Sequence, residues 1–419
     1  MRRRPAVAFV LVTLFLDILG VGLIIPILPR LIEELTGGDV SGASRVFGLL
    51  AALYSLMQFL FAPALGSLSD RFGRRPILLI SLLGSGLDYL LLAWAPTLGW
   101  FFLGRAVSGI SGASITTASA YIADVTPPER RAQNFGLIGA TFGLGFIAGP
   151  ALGGMLGDIG LRLPFLVAAG LTLVNWLYGL WVLPESLAPV HRRRFSWPRA
   201  NPVGALTALK RYPVVLGLTA TFFLLHLAQA CVHSTWVLYT GHRYHWTVGE
   251  TGISLAIVGA SALLVQGGLV RVIIPKLGEP RGILVGLSIG TLAMLGYGLA
   301  TRGWMIYAIL VAGSLGGIAG PSAQGLISKR VPPNEQGAVQ GALSSLASVA
   351  GIIGPPVATG LFGHFVRPDA VIYLPGAAFF LASALMFTAM LLAARVLKRD
   401  LETGRPTPPL PTSSTDARS

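Results

Sequence analysis

Of the 17 acidic residues in this 419-residue chain, only Asp17 and Asp88 lie well inside long apolar stretches, and Arg105 is the one basic residue that does so. A charge held at the centre of a bilayer costs ~3 kcal/mol on insertion scales and marks function by default. In apolar surroundings a carboxyl favours its neutral form, which brings proton exchange within reach of ordinary pH. Asp17 is the midpoint of the run 6–28. The alternative for it is a structural acid that stays neutral. Asp88 and Arg105 flank the turn "APT" at 95–97. Each is about seven residues from the end of its run, so at ~1.5 Å per residue both lie ~10 Å deep. They neutralise one another if their faces meet; otherwise Arg105 serves Asp17 across a cavity. Two acids against one arginine leave one acid in excess, and Asp17 is expected to load and release the proton. A second polar set, His226, Gln229 and His233, is spaced i, i+3, i+7 and shares one helical face. Histidine titrates near neutrality. The stripe is expected to bind a small molecule or relay protons opposite Asp17; the alternative is two histidines hydrogen-bonded to neighbouring helices.

The elements that position these groups are membrane helices. The chain is 53% apolar and 11% charged, against about 25% charged in a soluble domain. Apolar stretches near the ~20 residues that a spanning helix needs recur along its length. Only helices satisfy their backbone in lipid when the segments read this way. The fold class is therefore all-α, with twelve expected spans: 6–28, 44–66, 75–95, 98–120, 132–156, 163–183, 213–239, 248–273, 281–300, 303–327, 336–362 and 372–396. The basic start "MRRRP" resembles a signal peptide, but the apolar run passes Asp17 to Leu28 with no small-residue cleavage pattern, so it reads as a retained first span. A polar stretch with "HRRRFSWPRANP" divides the spans six and six. The expected organisation is a six-helix bundle at 1–183, a cytoplasmic linker at 184–212, a second bundle at 213–399 and a disordered Pro/Thr/Ser-rich tail at 400–419.

The basic residues orient the chain. Both termini and the loops on their side hold 24 of the 31 Lys and Arg, which places that side in the cytoplasm. The +14 net charge is thereby assigned to lipid headgroups rather than nucleic acid. Cys231 is the only cysteine, so no internal disulfide or cysteine metal site is implied. The halves repeat at an offset of 205: Pro127, Pro128, Gly136, Gly149 and Pro150 fall on Pro332, Pro333, Gly341, Gly354 and Pro355, and Gly112 falls on Gly317. Two parallel six-span repeats are a secondary-transporter layout, with the binding site between them near the midplane and access that alternates by rocking.

One loop concentrates the charge: "GSLSDRFGRRP", with Gly66, Asp70, Arg71, Gly73, Arg74 and Arg75. The two glycines permit a tight turn, Asp70 suits a helix N-terminus, and the arginines grip headgroups or carboxylates. This spacing resembles the signature loop of the major facilitator superfamily. The resemblance implies a cytoplasmic gate, with Asp70 directed towards the start of span 11 near Gly337 and Arg74 towards Asp124. The equivalent loop "IPKLGEPRG" keeps Gly278 but has Pro275 in the place of Asp70, so the latch is expected to be asymmetric. In span 5, Gly143, Gly149, Pro150, Gly153 and Gly154 form a face with almost no side chains. Small residues let helices approach closely in lipid. "GLGFIAGPALGG" is also similar to the motif of drug/proton antiporters within the superfamily. "LDILGVGLIIPILPRL", "GSGLDYLLLAWAP" and "LGRAVSGISGAS" extend the similarity to the tetracycline/proton antiporters, densely over 10–155 and continuously from about 214 to 360.

That resemblance implies roles in transport for Asp17, Asp88, Arg105 and, in span 2, Gln58. It also exposes a departure. The group's span 9 acid aligns with Gly290 and its span 8 histidine with Ala262, so the second half carries no intramembrane carboxylate. No phosphate-binding loop is present to couple ATP, and no zinc-peptidase or Ser/His/Asp pattern stands out, so the chain is not expected to be an enzyme. The expected function is proton-coupled antiport of a small amphiphilic drug across the inner membrane. The drug is expected to be tetracycline-like, with a Mg²⁺ chelate as cargo and no resident cofactor or metal. Export of another metabolite or lipid-like compound is the rival, followed by a non-transporting protein that keeps the fold.

Overall fold

The computed structural model describes residues 7–112, 114–127, 131–192, 213–331 and 336–403. The expected linker beyond residue 192 and the expected disordered tail from 404 lie outside the described residues. The described residues are helical. The first half comprises α1 (Val7–Ile24), α2 (Leu28–Leu35), α3 (Val40–Phe72), α4 (Arg74–Trp94), α5 (Leu98–Ser111), α6 (Ser114–Val125), α7 (Arg131–Ile159) and α8 (Leu163–Val182). The second comprises α9 (Pro213–Tyr244), α10 (Val248–Leu264), α11 (Val270–Leu277), α12 (Glu279–Leu299), α13 (Gly303–Gly313), α14 (Ala319–Lys329), α15 (Gln336–Phe365) and α16 (Ala377–Thr403). Eleven helices or near-continuous helix pairs are long and apolar enough to cross a membrane. The remaining expected span, 98–120, is the α5–α6 pair, each piece too short by itself. The chain is a multi-pass membrane protein.

The repeat governs the breaks as well as the lengths. The α5–α6 break at Gly112 has its counterpart 205 residues on, where the 3₁₀ turn Ser314–Ile318 separates α13 from α14. A π-turn, Val265–Leu269 with "QGG" at its centre, separates α10 from α11 and touches that 3₁₀ turn. Gly73 (φ 108°) and Gly278 (φ 79°) take the same left-handed turn at the same place in each half.

Each half has its own apolar core. The halves meet along two seams, α3 against α15 and α7 against α10. Close packing along the seams runs from the end of the bundle opposite the chain termini, here the far end, to about the middle. There Ser41 Oγ donates to the Gly363 carbonyl at 2.9 Å, and Arg30 Nη2 donates to the Trp246 carbonyl at 2.8 Å. Asp158 accepts from the Gly249 amide at 3.1 Å, at the start of α10.

Candidate functional site

In the first half, α1, α3, α4 and α5 gather the intramembrane charges. Asp17 is 7% exposed and Asp88 2%. Both act electrostatically on Tyr54 of α3 and Tyr89 of α4, and so does Arg105. Arg105 Nη2 lies 3.8 Å from Asp88 Oδ2, with side-chain exposures of 14% and 0%. Ser108 is the other polar neighbour of Asp88, yet neither carboxylate oxygen has a partner at hydrogen-bonding geometry. The Arg105 guanidinium also stands 5.5 Å from the centre of the Tyr54 ring, an orientation that the ring quadrupole favours. Tyr54 OH in turn accepts a long 3.5 Å bond from Gln58 Nε2. Glycines admit these groups: a methyl on Gly112 would meet Gln58 Nε2 at 3.1 Å, and one on Gly104 would press on Asp88. Asp17, Gln58, Asp88 and Arg105 thus share one neighbourhood, and Tyr54 and Tyr89 join them.

The second-half stripe lies on α9. His226 Nδ1 lies 3.0 Å from the Phe222 carbonyl, and its ring rests on Phe222 at 4.0 Å. His233 is exposed, Gln229 half-buried, and His226 acts electrostatically on His233. Gly290 is filled by its surroundings. A methyl there would lie 2.8 Å from Met386 Sδ, and Gly316 presses on the same backbone. An acid at 290 would have to displace the end of the Met386 side chain.

The loop at the terminal end is built around Arg74. Its Nη1 reaches Asp70 Oδ1 and Ser69 Oγ at 2.6 Å, and its Nε donates to Asp124 Oδ2 at 3.1 Å. Asp70 therefore pairs within its own loop. Arg75 Nη2 donates to the Leu180 carbonyl, Arg71 stacks on Phe72, and Gly66 has open space. Sequence reasoning missed Glu185, the residue that closes this loop. Its carboxylate accepts from the amides of Arg74 at 2.9 Å and Arg75 at 3.2 Å, capping α4 as an anion suits a helix N-terminus. It presses so closely on Gly73 that no side chain fits there. The available signal was an acid directly after span 6, on the same side as the loop.

One pair of the loop recurs in the second half, where Pro275 still stands in the place of Asp70. Residues 74 and 124, displaced by 205, are Glu279 and Lys329, and these two pair in the second half with the charges exchanged. The two pairs differ in worth. Arg74 and Asp124 are 10% and 20% exposed, Lys329 64%. Exposed pairs contribute ~0–1 kcal/mol, whereas stripping a partner from a largely buried one costs ~3 kcal/mol. Arg74→Ala is expected to lower the melting temperature in detergent by several degrees and Lys329→Ala by about one; equal shifts would refute the ranking.

The span 5 glycines give α7 two smooth faces. One lies on α1: a methyl added to Gly149 would lie 2.7 Å from the Gly22 Cα, and Gly153 abuts the Leu23 carbonyl. The other lies on the second half: a methyl on Gly154 would reach the Val248 carbonyl at 2.8 Å, and one on Gly143 would reach Leu263 at 3.1 Å. Pro150 sits between them, its carbonyl close to Gly252. A groove of roughly 410 Å³ opens at the far end between Arg30, Glu33, Glu34, Gly38, Leu161 and Val248. None of the intramembrane charges lines it.

Comparison with known proteins bears on both halves. A family model described as Major Facilitator Superfamily matches residues 10–355 and 276–417. The chain is 39% identical over 382 residues to the class C tetracycline resistance protein of Escherichia coli, covering 91% of this chain and 96% of that one. It is 37% identical over 397 residues to the class B protein of Escherichia coli, covering 94% and 98%. Among solved structures, a bacterial homologue of the human lysosomal transporter Spinster, in an inward-facing and occupied conformation, superposes with a TM-score of 0.75 at 16% identity, covering 96% and 98%.

Proposed function

The chain belongs to the major facilitator superfamily, and from that membership we propose that it is a proton-coupled antiporter that exports a tetracycline-like drug across the inner membrane, with both termini in the cytoplasm. The observation that carries the reading is that two carboxyls, Asp17 and Asp88, are buried in one neighbourhood with the Arg105 guanidinium, which stands beside Asp88. On this reading Asp17, at the middle of its span, is the group whose charge changes. Deprotonated, it favours a cationic drug or a Mg²⁺ chelate; protonated, it loses that attraction and the cargo leaves. One carboxyl that serves two ligands in turn couples the two fluxes without covalent chemistry. The names of the tetracycline resistance relatives favour tetracycline as the first compound to test.

The seams describe one state of this cycle. The halves are joined at the far end, by Asp158 to Gly249, Arg30 to Trp246 and Ser41 to Gly363. With the termini in the cytoplasm, the end at which the halves are joined faces outward. The loop around Arg74 is then a gate element that waits for the second half to return.

The test uses proteoliposomes with tetracycline and Mg²⁺ and an imposed pH gradient. Uptake should follow the gradient and collapse with an uncoupler. Uptake indifferent to the gradient would refute proton coupling. If gradient-driven uptake appears only with other compounds, the tetracycline assignment fails while the antiport reading stands. The stripe on α9 is the second face of the proposed cavity. A His226→Gln, His233→Asn double variant is expected to lower uptake about tenfold, chiefly through KM, because its groups meet cargo rather than hold the fold. Unchanged uptake would remove the stripe from the mechanism.

A further inference from the structure

Behind Asp17 the helix α1 is tied to α8 at two places. Asn175 Nδ2 donates to the carbonyl of Thr13 at 2.8 Å, in a fully buried setting. Thr13 lies four residues before Asp17, so its carbonyl is also the acceptor of the Asp17 amide within the helix. One carbonyl oxygen therefore takes two hydrogen bonds, one from the carrier turn and one from α8. Thr172, one turn from Asn175 on the same face of α8, comes against Gly20, the residue one turn beyond Asp17. A methyl on Gly20 would meet Thr172 Oγ1 at 3.2 Å and the Tyr89 ring at 3.4 Å. Asp17 is bracketed between the two ties.

The bracket holds hydrogen-bonding capacity in reserve. Thr172 Oγ1 and Asn175 Oδ1 are buried in residues of 0% exposure, and neither has a hydrogen-bond partner among the described residues. Leaving such atoms unpaired in an apolar interior is costly. The first half keeps them at the two positions that flank its mid-span carboxyl.

We propose that Asn175 and Thr172 are positioning residues for Asp17: they fix the turn that carries the carboxyl and set the pH at which it exchanges its proton. This rests on the reading of Asp17 as the proton carrier. Asn175 holds the backbone on α8, so the carrier keeps its depth and its neighbours while the halves rock. The Thr172 hydroxyl beside Gly20 and the Asn175 amide on Thr13 stand within about a turn of Asp17 along α1, and their dipoles weight its charged form against the neutral one. The other titratable groups that face Asp17 are Tyr54 of α3, Asp88 and Tyr89 of α4 and Arg105 of α5. Towards the termini, α6 adds Tyr121 and Asp124 and α8 adds Tyr178, while α7 carries its charges, Arg131 and Asp158, only at its ends. These are the same in every variant below.

The experiment is infrared difference titration of the full-length protein in nanodiscs, without drug. The carboxyl band of Asp17 is the one lost in Asp17→Asn. Thr172→Val keeps shape and removes only the hydroxyl; Asn175→Leu removes the tie; Thr172→Ser keeps the hydroxyl. Thr172→Val, which removes a buried dipole, and Asn175→Leu, which removes the bond to the Thr13 carbonyl, are each expected to move the midpoint of the Asp17 band by about one pH unit. Thr172→Ser should restore the wild-type midpoint. A merely structural role would lower the melting temperature and leave the midpoint in place, and that result overturns the proposal. Should Asn175→Leu not fold, Thr172→Val decides alone. If no titrating band disappears in Asp17→Asn, the carrier reading itself fails and this inference with it. If the band disappears there but ignores both α8 variants, only the inference fails.

Discussion

Asp17→Asn is expected to reduce gradient-driven uptake by at least about a hundredfold while leaving the protein folded. The asparagine amide matches the protonated carboxyl in size and in neutrality, so it fits the buried position, 7% exposed, without the desolvation cost of a charge. What it lacks is an exchangeable charge. A carrier frozen in the neutral form still changes conformation but couples nothing. The rival reading, a structural acid that is always neutral, makes the opposite forecast: asparagine would then be a near-perfect replacement and uptake would persist. Asp88→Asn separates the two acids. It strips the partner from Arg105, whose guanidinium is 14% exposed at 3.8 Å from the carboxylate. Breaking a buried pair costs ~3–5 kcal/mol because one charge remains uncompensated; the long separation here argues for the lower end. Asp88→Asn is therefore expected to lose stability and transport together, and Asp88→Asn with Arg105→Gln to regain stability. The melting curve in detergent and the vesicle assay read the two effects independently. An Asp88→Asn protein that melts like the wild type would show that the pair does not hold this part of the bundle.

How much of this was legible beforehand depends on the kind of interaction. Span lengths follow from lipid thickness and hydropathy, both local properties, so the helices could be read from the chain. The first-half charges could be read too, because an acid or an arginine stands out in an apolar run. The break at Gly112 and Gly317 was visible only as a repeated glycine; that it interrupts the helix needed coordinates. Two partners across helices were also in view, Asp88 with Arg105 by depth and Arg74 with Asp124 through the family resemblance, but others were beyond reach. Asn175 is an ordinary polar residue in a span until its amide is found on the Thr13 carbonyl. Glu185 is an ordinary loop acid until it closes on the amides of Arg74 and Arg75. Rotation of a helix about its axis decides such contacts, and the near-uniform hydropathy of a span leaves that rotation unmarked. The offset of 205 carried more than was drawn from it. Applied to Arg74 and Asp124 it lands on Glu279 and Lys329, a pair obscured by the exchange of signs.

The two faces of α7 lead to the second large effect. Gly154→Leu is expected to hold the far end open and to cut turnover by more than about tenfold. Gly154 meets the backbone of α10 itself: a methyl would lie 2.8 Å from the Val248 carbonyl and 3.0 Å from the Gly249 Cα. Backbone cannot rotate out of the way as a side chain can, so the added atoms must separate α7 from α10. Overpacking of this kind costs ~1–3 kcal/mol, charged only to the state in which the seam is shut, and ~1.4 kcal/mol already shifts a two-state balance tenfold. The neighbouring Gly153 abuts Leu23 within its own half. Gly153→Leu should therefore damage folding and expression rather than the choice of state. Gly139, with nothing within 4 Å of its position, supplies the control on the same helix. The measurement is labelling of Ser44→Cys, which is buried in the far-end seam beside Gly363, by a membrane-impermeant maleimide. Cys231, 1% exposed, gives little background. Labelling should rise in Gly154→Leu and stay at the wild-type level in Gly139→Leu. If Gly154→Leu neither labels faster nor slows transport, the α7–α10 seam is not a surface that parts during the cycle, and the alternation between the halves would have to run through α3 and α15 alone.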